Sequence, residues 1–338
     1  MASPRIPITL ITGFLGSGKT TLICSLLQQI PELKAAILVN EFGDVSVDGQ
    51  IIRSDKGCRE RKVCDLPAGC ICCTIQDEFV PTLKRVISEH APQHIIIEAS
   101  GLAEPAPVID SLRWRELSHL VELDAVVAVV DAAQLLAGSY TEGEVAPDVD
   151  IPEHMVSIRS VFAEQLEFSD LILLNRAEVL KEHDFEKAEA LLSSVESNLG
   201  VILPVRDKKL PVSAVLGHGG HDRLAADGHH HHHHDHDHEH NIWQQGVLVC
   251  NDPVSKSALE QGLADLAEQG LFRAKGQASL EGSEIGALLQ MVGGRCEISY
   301  QANTKADGSR LVAIGHRFDL SVAAEHLHKL TGYSWNVA

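Results

Sequence analysis

Short apolar runs alternate with amphipathic stretches through the first part of the chain. Ile8–Thr12, Ala35–Asn40, His94–Glu98, Ala125–Asp131 and Leu171–Asn175 are rich in Val, Ile and Leu and lack strict alternation. That pattern predicts strands buried on both faces of a parallel sheet. Between them, Thr20–Gln29, Glu78–Glu89, Glu153–Gln165 and Asp184–Ser197 carry apolar residues at helical spacing. The strand–helix rhythm predicts an α/β fold, a mostly parallel open sheet with helices on both faces.

The rhythm stops at Gly217. Residues 217–240 read GHGGHDRLAADGHHHHHHDHDHEH, with too few apolar side chains to bury a core, which predicts a flexible linker. A second unit starts near Ile242. A strand at Gly246–Cys250 leads into Asp252-Pro253, which predicts an N-cap with Pro at the first helical position. The helix carries Leu259, Leu263 and Leu266 and stops at Gly270. Further strands at Leu271–Gly276, Cys296–Gln301 and Leu311–Gly315, and a last helix at Ser321–Leu330, predict a smaller α+β domain. The expected organisation is therefore a domain at 1–216, a His-rich linker at 217–241 and a second domain at 242–338, with no internal repeat.

Composition narrows the function. At about 100–200 residues per domain, a chain of 338 residues suits two domains, each with its own core. Lys and Arg number 28 against 47 Asp and Glu, a net charge of −19, which argues against nucleic acid as a partner because counterion release needs cations on the binding face. The longest apolar stretches, such as AVVAVV at 125–130, fall far short of the roughly 20 residues a membrane-spanning helix needs. The first residues, MASPRIPITLITGF, lack a secretory pattern. A cytoplasmic location is expected.

The sharpest motif is GFLGSGKT, Gly13 to Thr20, with a strand before it and a helix after it. It fits the phosphate-binding loop, in which glycines let backbone N–H groups and a helix N-terminus face an anion. Gly13, Gly16, Ser17 and Gly18 would form the cradle, and Lys19 would reach the β- and γ-phosphates. Thr20 would give its hydroxyl to Mg²⁺, with Thr21 beside it. The strand ending in Glu98 supplies the second metal-side group, to hold Mg²⁺ or orient the attacking water, and Gly101 follows where an N–H could meet the γ-phosphate. Lys19, Glu98 and Gly101 are thus the catalytic candidates. Asn175-Arg176-Ala177-Glu178 follows the strand LILLN, where GTPases commonly place Asn-Lys-x-Asp. The carboxylate of Glu178 would accept from guanine, and Arg176 would lie over the base. The expected nucleotide is GTP.

Five of the eight cysteines, Cys58, Cys64, Cys70, Cys72 and Cys73, lie within sixteen residues. In a reducing compartment such a cluster reads as metal-binding or redox thiols rather than as disulfides. Thiolates of Cys70, Cys72 and Cys73 suit Zn²⁺, Co²⁺ or Cu⁺; Cys58 and Cys64 could complete the site, guard it or be inert. The run His229, His230, His231, His232, His233 and His234 is internal and continues as DHDHEH, unlike a cloning tag. It predicts auxiliary metal capture with little geometric selectivity.

These motifs together resemble the CobW-type metallochaperone GTPases, relatives of the urease and hydrogenase nickel-insertion GTPases. The resemblance runs from ITGFLGSGKTTL through VNEFGDVSVDG at 39–49, GCICC at 69–73, IIIEASGLAEPAPVI at 95–109 and DAVVAVVDA at 124–132 to the His-rich linker and C-terminal domain. It implies a P-loop GTPase that binds a metal at the Cys-x-Cys-Cys segment and delivers it to a client as GTP is hydrolysed. Hydrolysis would be slow without a partner. Cys72 would be a ligand with Cys70 or Cys73, and Glu41 a further one. The client would be a metalloenzyme or a cobalt chelatase complex, and a homodimer is compatible with this organisation. The segment bearing Cys58 and Cys64, and LLQMVGGRCEISY, look more like the cobalamin branch, which supplies cobalt, than like the zinc branch. Two other readings stand beside it. One is a metal-buffering or sensing protein in which the His run stores ions and nucleotide only regulates. The other is a small-molecule kinase, for which no acceptor pocket or basic lid is visible in the sequence.

Overall fold

The computed structural model describes residues 5–39, 62–65, 78–140, 158–197, 199–206, 212–216, 243–293, 295–305, 308–316 and 318–338. They form two compact units, which divide at 219/220. In the first unit the strands are β1 (Ile6–Thr12), β2 (Ala35–Val39), β3 (Lys62–Asp65), β4 (His94–Glu98), β5 (Val121–Asp131), β6 (Leu171–Asn175) and β7 (Val201–Pro204). The helices are α1 (Lys19–Gln29), α2 (Val80–His90), α3 (Ala106–Leu112), α4 (Ala132–Leu136), α5 (Ile158–Glu167), α6 (Glu182–Val195) and α7 (Val212–Val215).

All seven strands join one sheet in the order β3-β2-β4-β1-β5-β6-β7, and every neighbouring pair is parallel. The expected parallel sheet is therefore present. Every residue of β2, β4 and β6 is buried, which explains their unbroken apolar runs. Ile8, Leu10, Leu38, Ile95 and Ile97 pack with Leu83 and Val86 of α2 and with Val108 and Ile109 of α3. Val130, Ile172 and Leu174 pack with Phe162 and Leu166 of α5 and Leu192 of α6. Strands β3 and β7 were not expected. They are four-residue edge strands, KVCD and VILP, where the polar residues and Pro that suit an edge hide the strand pattern.

The order of strands decides where a ligand goes. β1 lies between β4 and β5, so the connections leaving it diverge and open a crevice at the carboxyl ends. Register brings the chemistry to that edge. Glu98 stands opposite both Ile11 and Val39, and Asp131 stands opposite Asn175.

The second unit contains β8 (Trp243–Cys250), α8 (Lys256–Glu268), β9 (Leu271–Ala278), β10 (Ile285–Val292), β11 (Arg295–Lys305), β12 (Ser309–His316), α9 (Leu320–Thr331) and β13 (Asn336–Val337). Its six strands form an antiparallel sheet, β11-β10-β9-β12-β8-β13. Leu259, Leu263 and Leu266 of α8 and Ala323 and Leu327 of α9 share its core with Leu248, Leu289 and Leu311. An α+β domain is what the sequence predicts, with two differences. Strands β10 and β13 were not expected; β10 pairs with β11 so that Met291 faces Cys296 and Val292 faces Arg295. The N-cap at Asp252 is wrong. Val254 donates its N–H to the Ser279 carbonyl at 2.9 Å and accepts from the Glu281 N–H at 3.0 Å. This bridge ties Val254 to Leu280, so the helix starts only after Ser255.

Helix α9 has a true side-chain cap. Asp319 accepts from the backbone N–H groups of Ser321 at 2.8 Å and Val322 at 3.4 Å, and Gly332 closes the other end at φ 78°. Asp319→Ala is expected to cost about 1 kcal/mol while Asp319→Asn stays close to wild type, measured by chemical denaturation. Among the described residues no helix is long and apolar enough to cross a membrane.

Candidate nucleotide-binding site

The loop after β1 is shaped by glycines. Gly13, at φ 132°, lies so close to β5 that a Cβ there would stand 2.2 Å from the Val129 carbonyl oxygen. Gly18 caps α1 in the left-handed region, φ 98°, with no side-chain acceptor on the first turn. The helix N-terminus therefore keeps its N–H groups for an anion. Lys19 is nearly buried and arches back over the loop, its Nζ donating to the carbonyls of Gly13 at 2.7 Å and Phe14 at 3.1 Å. Ser17 is buried, and its Oγ has no partner among the described residues. Gly16 has φ 74°, and Thr21 faces out from the first turn of α1.

Glu98 and Thr20 are 78 positions apart in sequence, and the structure brings them together. The Thr20 hydroxyl donates to Glu98 Oε1 at 2.7 Å, and the carboxylate is 1% exposed. A hydroxyl and a buried carboxylate at the foot of a phosphate loop are hard oxygen donors, the set that fits Mg²⁺ rather than a soft metal.

From Glu98 the chain passes directly over the phosphate loop. The Ala99 N–H donates to the Ile11 carbonyl at 2.8 Å, and Gly101 lies so close to Leu15 that a Cβ would meet its backbone N at 2.6 Å. Gln165 of α5, not among the site residues expected from sequence, is fully buried and donates through Nε2 to the carbonyls of Gly101 and Ala103, both at 3.3 Å. Its one available signal was a polar residue on the apolar face with Val161, Phe162 and Leu166. Beside it, burial raises the Glu164 carboxyl above its ordinary range, and the nearby Glu104 carboxylate adds to the shift.

The base side carries contacts that the sequence did not show. Asn175 does not reach outward: its Nδ2 donates to the Ser17 carbonyl at 2.8 Å and so ties β6 to the phosphate loop. Arg176 adopts φ 57°, and its guanidinium pairs with Asp131 Oδ2, a fully buried carboxylate. The other oxygen of Asp131 accepts from the N–H groups of Ala133 and Gln134, capping α4. Asp131 was legible in principle, because it ends an apolar strand as Glu98 does. Glu178 is exposed on the 3₁₀ turn Ala177–Val179. Next to the loop, the Tyr140 ring stacks on Phe162 at 4.5 Å and meets Phe14 edge-on at 5.6 Å. Burial, the largest cause, pushes its phenol up to about 12, so the hydroxyl stays protonated and donates to Gln134 Oε1 at 2.9 Å.

The expected transition-metal ligands Glu41, Cys70, Cys72 and Cys73, together with Cys58 and the histidines from His229 to His234, lie outside the described residues. Of Cys64 only the backbone is described, on β3 opposite Leu38. Among the described residues no three metal-ligating side chains gather.

A parallel sheet with a glycine-shaped loop at its switch point, and a Thr–Glu pair at the foot of that loop, defines a P-loop nucleotide-binding protein. Residues 7–202 match the family model of the CobW/HypB/UreG nucleotide-binding domain, and residues 243–331 match that of the cobalamin synthesis protein CobW C-terminal domain. The chain belongs to the CobW/HypB/UreG family. It is 34% identical to a protein named zinc chaperone CobW from a Sinorhizobium species, over 92% of this chain and 93% of that one. A protein of the same name from Pseudomonas aeruginosa is 32% identical over 96% and 91%. The zinc-regulated GTPase metalloprotein activator 1 of Dictyostelium discoideum is 28% identical over 67% of this chain and 51% of its own.

Proposed function

We propose that this GTPase of the CobW/HypB/UreG family is a zinc metallochaperone of the cytoplasm. It binds the ion at the Cys-x-Cys-Cys segment and passes it to a client metalloenzyme, with GTP hydrolysis gating release. The observation that carries the reading is the buried Thr20–Glu98 contact beneath a glycine-shaped phosphate loop.

In this reading Lys19 leaves the carbonyls of Gly13 and Phe14 for the β- and γ-phosphates, and the α1 N-terminus receives the rest of the chain's anionic partner. Thr20 and Glu98 would hold Mg²⁺, which when bound would neutralise charge on the phosphates. Gly101 meets the γ-phosphate through its N–H, and Glu98 orients the attacking water. Arg176, steadied by Asp131, lies over guanine, and Glu178 reads its donors.

Topology supports a link between nucleotide and metal. β2 and β3 are parallel to β4, and Val39 stands opposite both Glu98 and Asp65. Glu41 follows Val39 by two residues, and Cys70 follows Asp65 by five. Both metal-bearing segments thus leave from carboxyl ends at the nucleotide edge, where order imposed by the γ-phosphate can reach them. Zinc is preferred to cobalt as cargo because the relatives are named zinc chaperones, and ligand type alone does not separate the two ions. The histidine run concentrates metal nearby. A pure buffering protein would lose function on deletion of residues 229–240, whereas a chaperone would only weaken at low metal.

Steady-state phosphate release tests the catalytic part. GTP is expected to be turned over in preference to ATP, and Glu98→Gln to lower GTP turnover by about a hundredfold or more while nucleotide binding persists. Preferred ATP turnover, or an unchanged Glu98→Gln rate, would overturn it.

A further inference from the structure

Gln165 is a buried polar side chain for which packing alone gives no reason. An apolar residue of similar size would suit the interior at least as well, yet here an amide is fully buried on α5. Both of its contacts run to the loop that follows Glu98: Nε2 donates to the carbonyls of Gly101 and Ala103. Its Oε1 is buried and has no hydrogen-bond partner among the described residues. One turn earlier on the same helix face, Phe162 stacks on Tyr140, whose ring packs against Phe14 of the phosphate loop. Helix α5 therefore touches the Gly101 loop directly and reaches the phosphate loop through Tyr140, and the two loops meet where Gly101 crosses Leu15.

We propose that Gln165 is a positioning residue that sets where Gly101 stands relative to the γ-phosphate and so makes the protein tell triphosphate from diphosphate. The inference rests on the reading of Gly101 given above. Two carbonyls pinned by one buried amide constrain the path of the loop between them. A buried amide oxygen without a donor is costly and rare. It fits a loop with a second arrangement, in which a carbonyl turns away and a backbone N–H turns to Oε1. One side chain then has a partner in either state, so the loop switches between two placements instead of loosening.

The test compares binding of Mg–GDP and a non-hydrolysable Mg–GTP analogue, both fluorescently labelled, to the full chain and to Gln165→Met and Gln165→Glu. Met keeps the volume and removes both polar atoms. Glu keeps the shape and removes the donor, so it carries the test if the Met variant does not fold. With two hydrogen bonds lost, affinity for the analogue is expected to fall about tenfold or more while that for GDP stays within about twofold. The kcat for GTP should fall with it. Equal weakening for both nucleotides, or no change for either, would assign Gln165 a structural role only and overturn the proposal. If the wild-type protein binds neither guanine nucleotide, it is the functional reading that fails, and the role of Gln165 fails with it.

Discussion

Lys19→Ala is expected to lower GTP turnover by about a hundredfold to a thousandfold, the loss typical when a donor aimed at developing charge is removed. The side chain is nearly buried and its ammonium donates to two loop carbonyls, those of Gly13 and Phe14, at 2.7 and 3.1 Å. Those carbonyls can release the ammonium to a phosphate at little cost, because the phosphate restores both charge and hydrogen bonds. The same variant should lose thermal protection by nucleotide. Ligand at about a hundred times its Kd adds roughly 2.7 kcal/mol to a protein that binds it, and a variant that has lost the phosphate contact gains little. A thermal melt with and without Mg–GTP checks this. A Lys19→Ala protein that hydrolyses GTP at the wild-type rate would remove the phosphate loop from the mechanism.

The parts of this molecule that could be read from sequence are those in which one physical demand dominates. β1, β4 and β6 are buried on both faces, so their apolar runs leave no other reading. The phosphate loop is legible because positive φ at Gly13 and Gly18 and close approach at both positions admit only glycine. Illegible parts are those in which tertiary contacts override local preference. Asp252-Pro253 has the chemistry of a helix start, but the bridge between Val254 and Leu280 delays the helix. Asn175 and Arg176 also make contacts that their local sequence does not reveal, with Ser17 and Asp131. Neither partner is close in sequence. Gln165 is a similar case, since its side-chain contacts run to a loop more than sixty residues away.

The second large effect concerns the metal. Cys72→Ser is expected to lower affinity for zinc by more than about a hundredfold, because even outer-shell partners of a metal ligand are commonly worth about 10–100-fold. A serine hydroxyl is a harder and far less acidic donor than a thiol, so it does not replace a thiolate on a soft or borderline ion. GTP turnover measured with Mg²⁺ alone should change much less, since the residues proposed to hold Mg²⁺ are Thr20 and Glu98, which make a contact of their own. Competition with a chromophoric zinc chelator measures the affinity. Retention of tight binding in Cys72→Ser would move the site to other residues, the histidine run first among them.

The coupling of the nucleotide and metal sites can be read in one titration. Co²⁺ is added to reduced protein lacking residues 229–240, in the presence of Mg–GTP, of Mg–GDP or of neither, and thiolate-to-cobalt charge-transfer absorbance is followed before Zn²⁺ displaces the cobalt. Coupling predicts markedly tighter binding with GTP than in the other two conditions, and loss of the signal in Cys72→Ser. Equal affinity in all three conditions would contradict it, leaving a nucleotide site and a metal site that share a chain without sharing a mechanism.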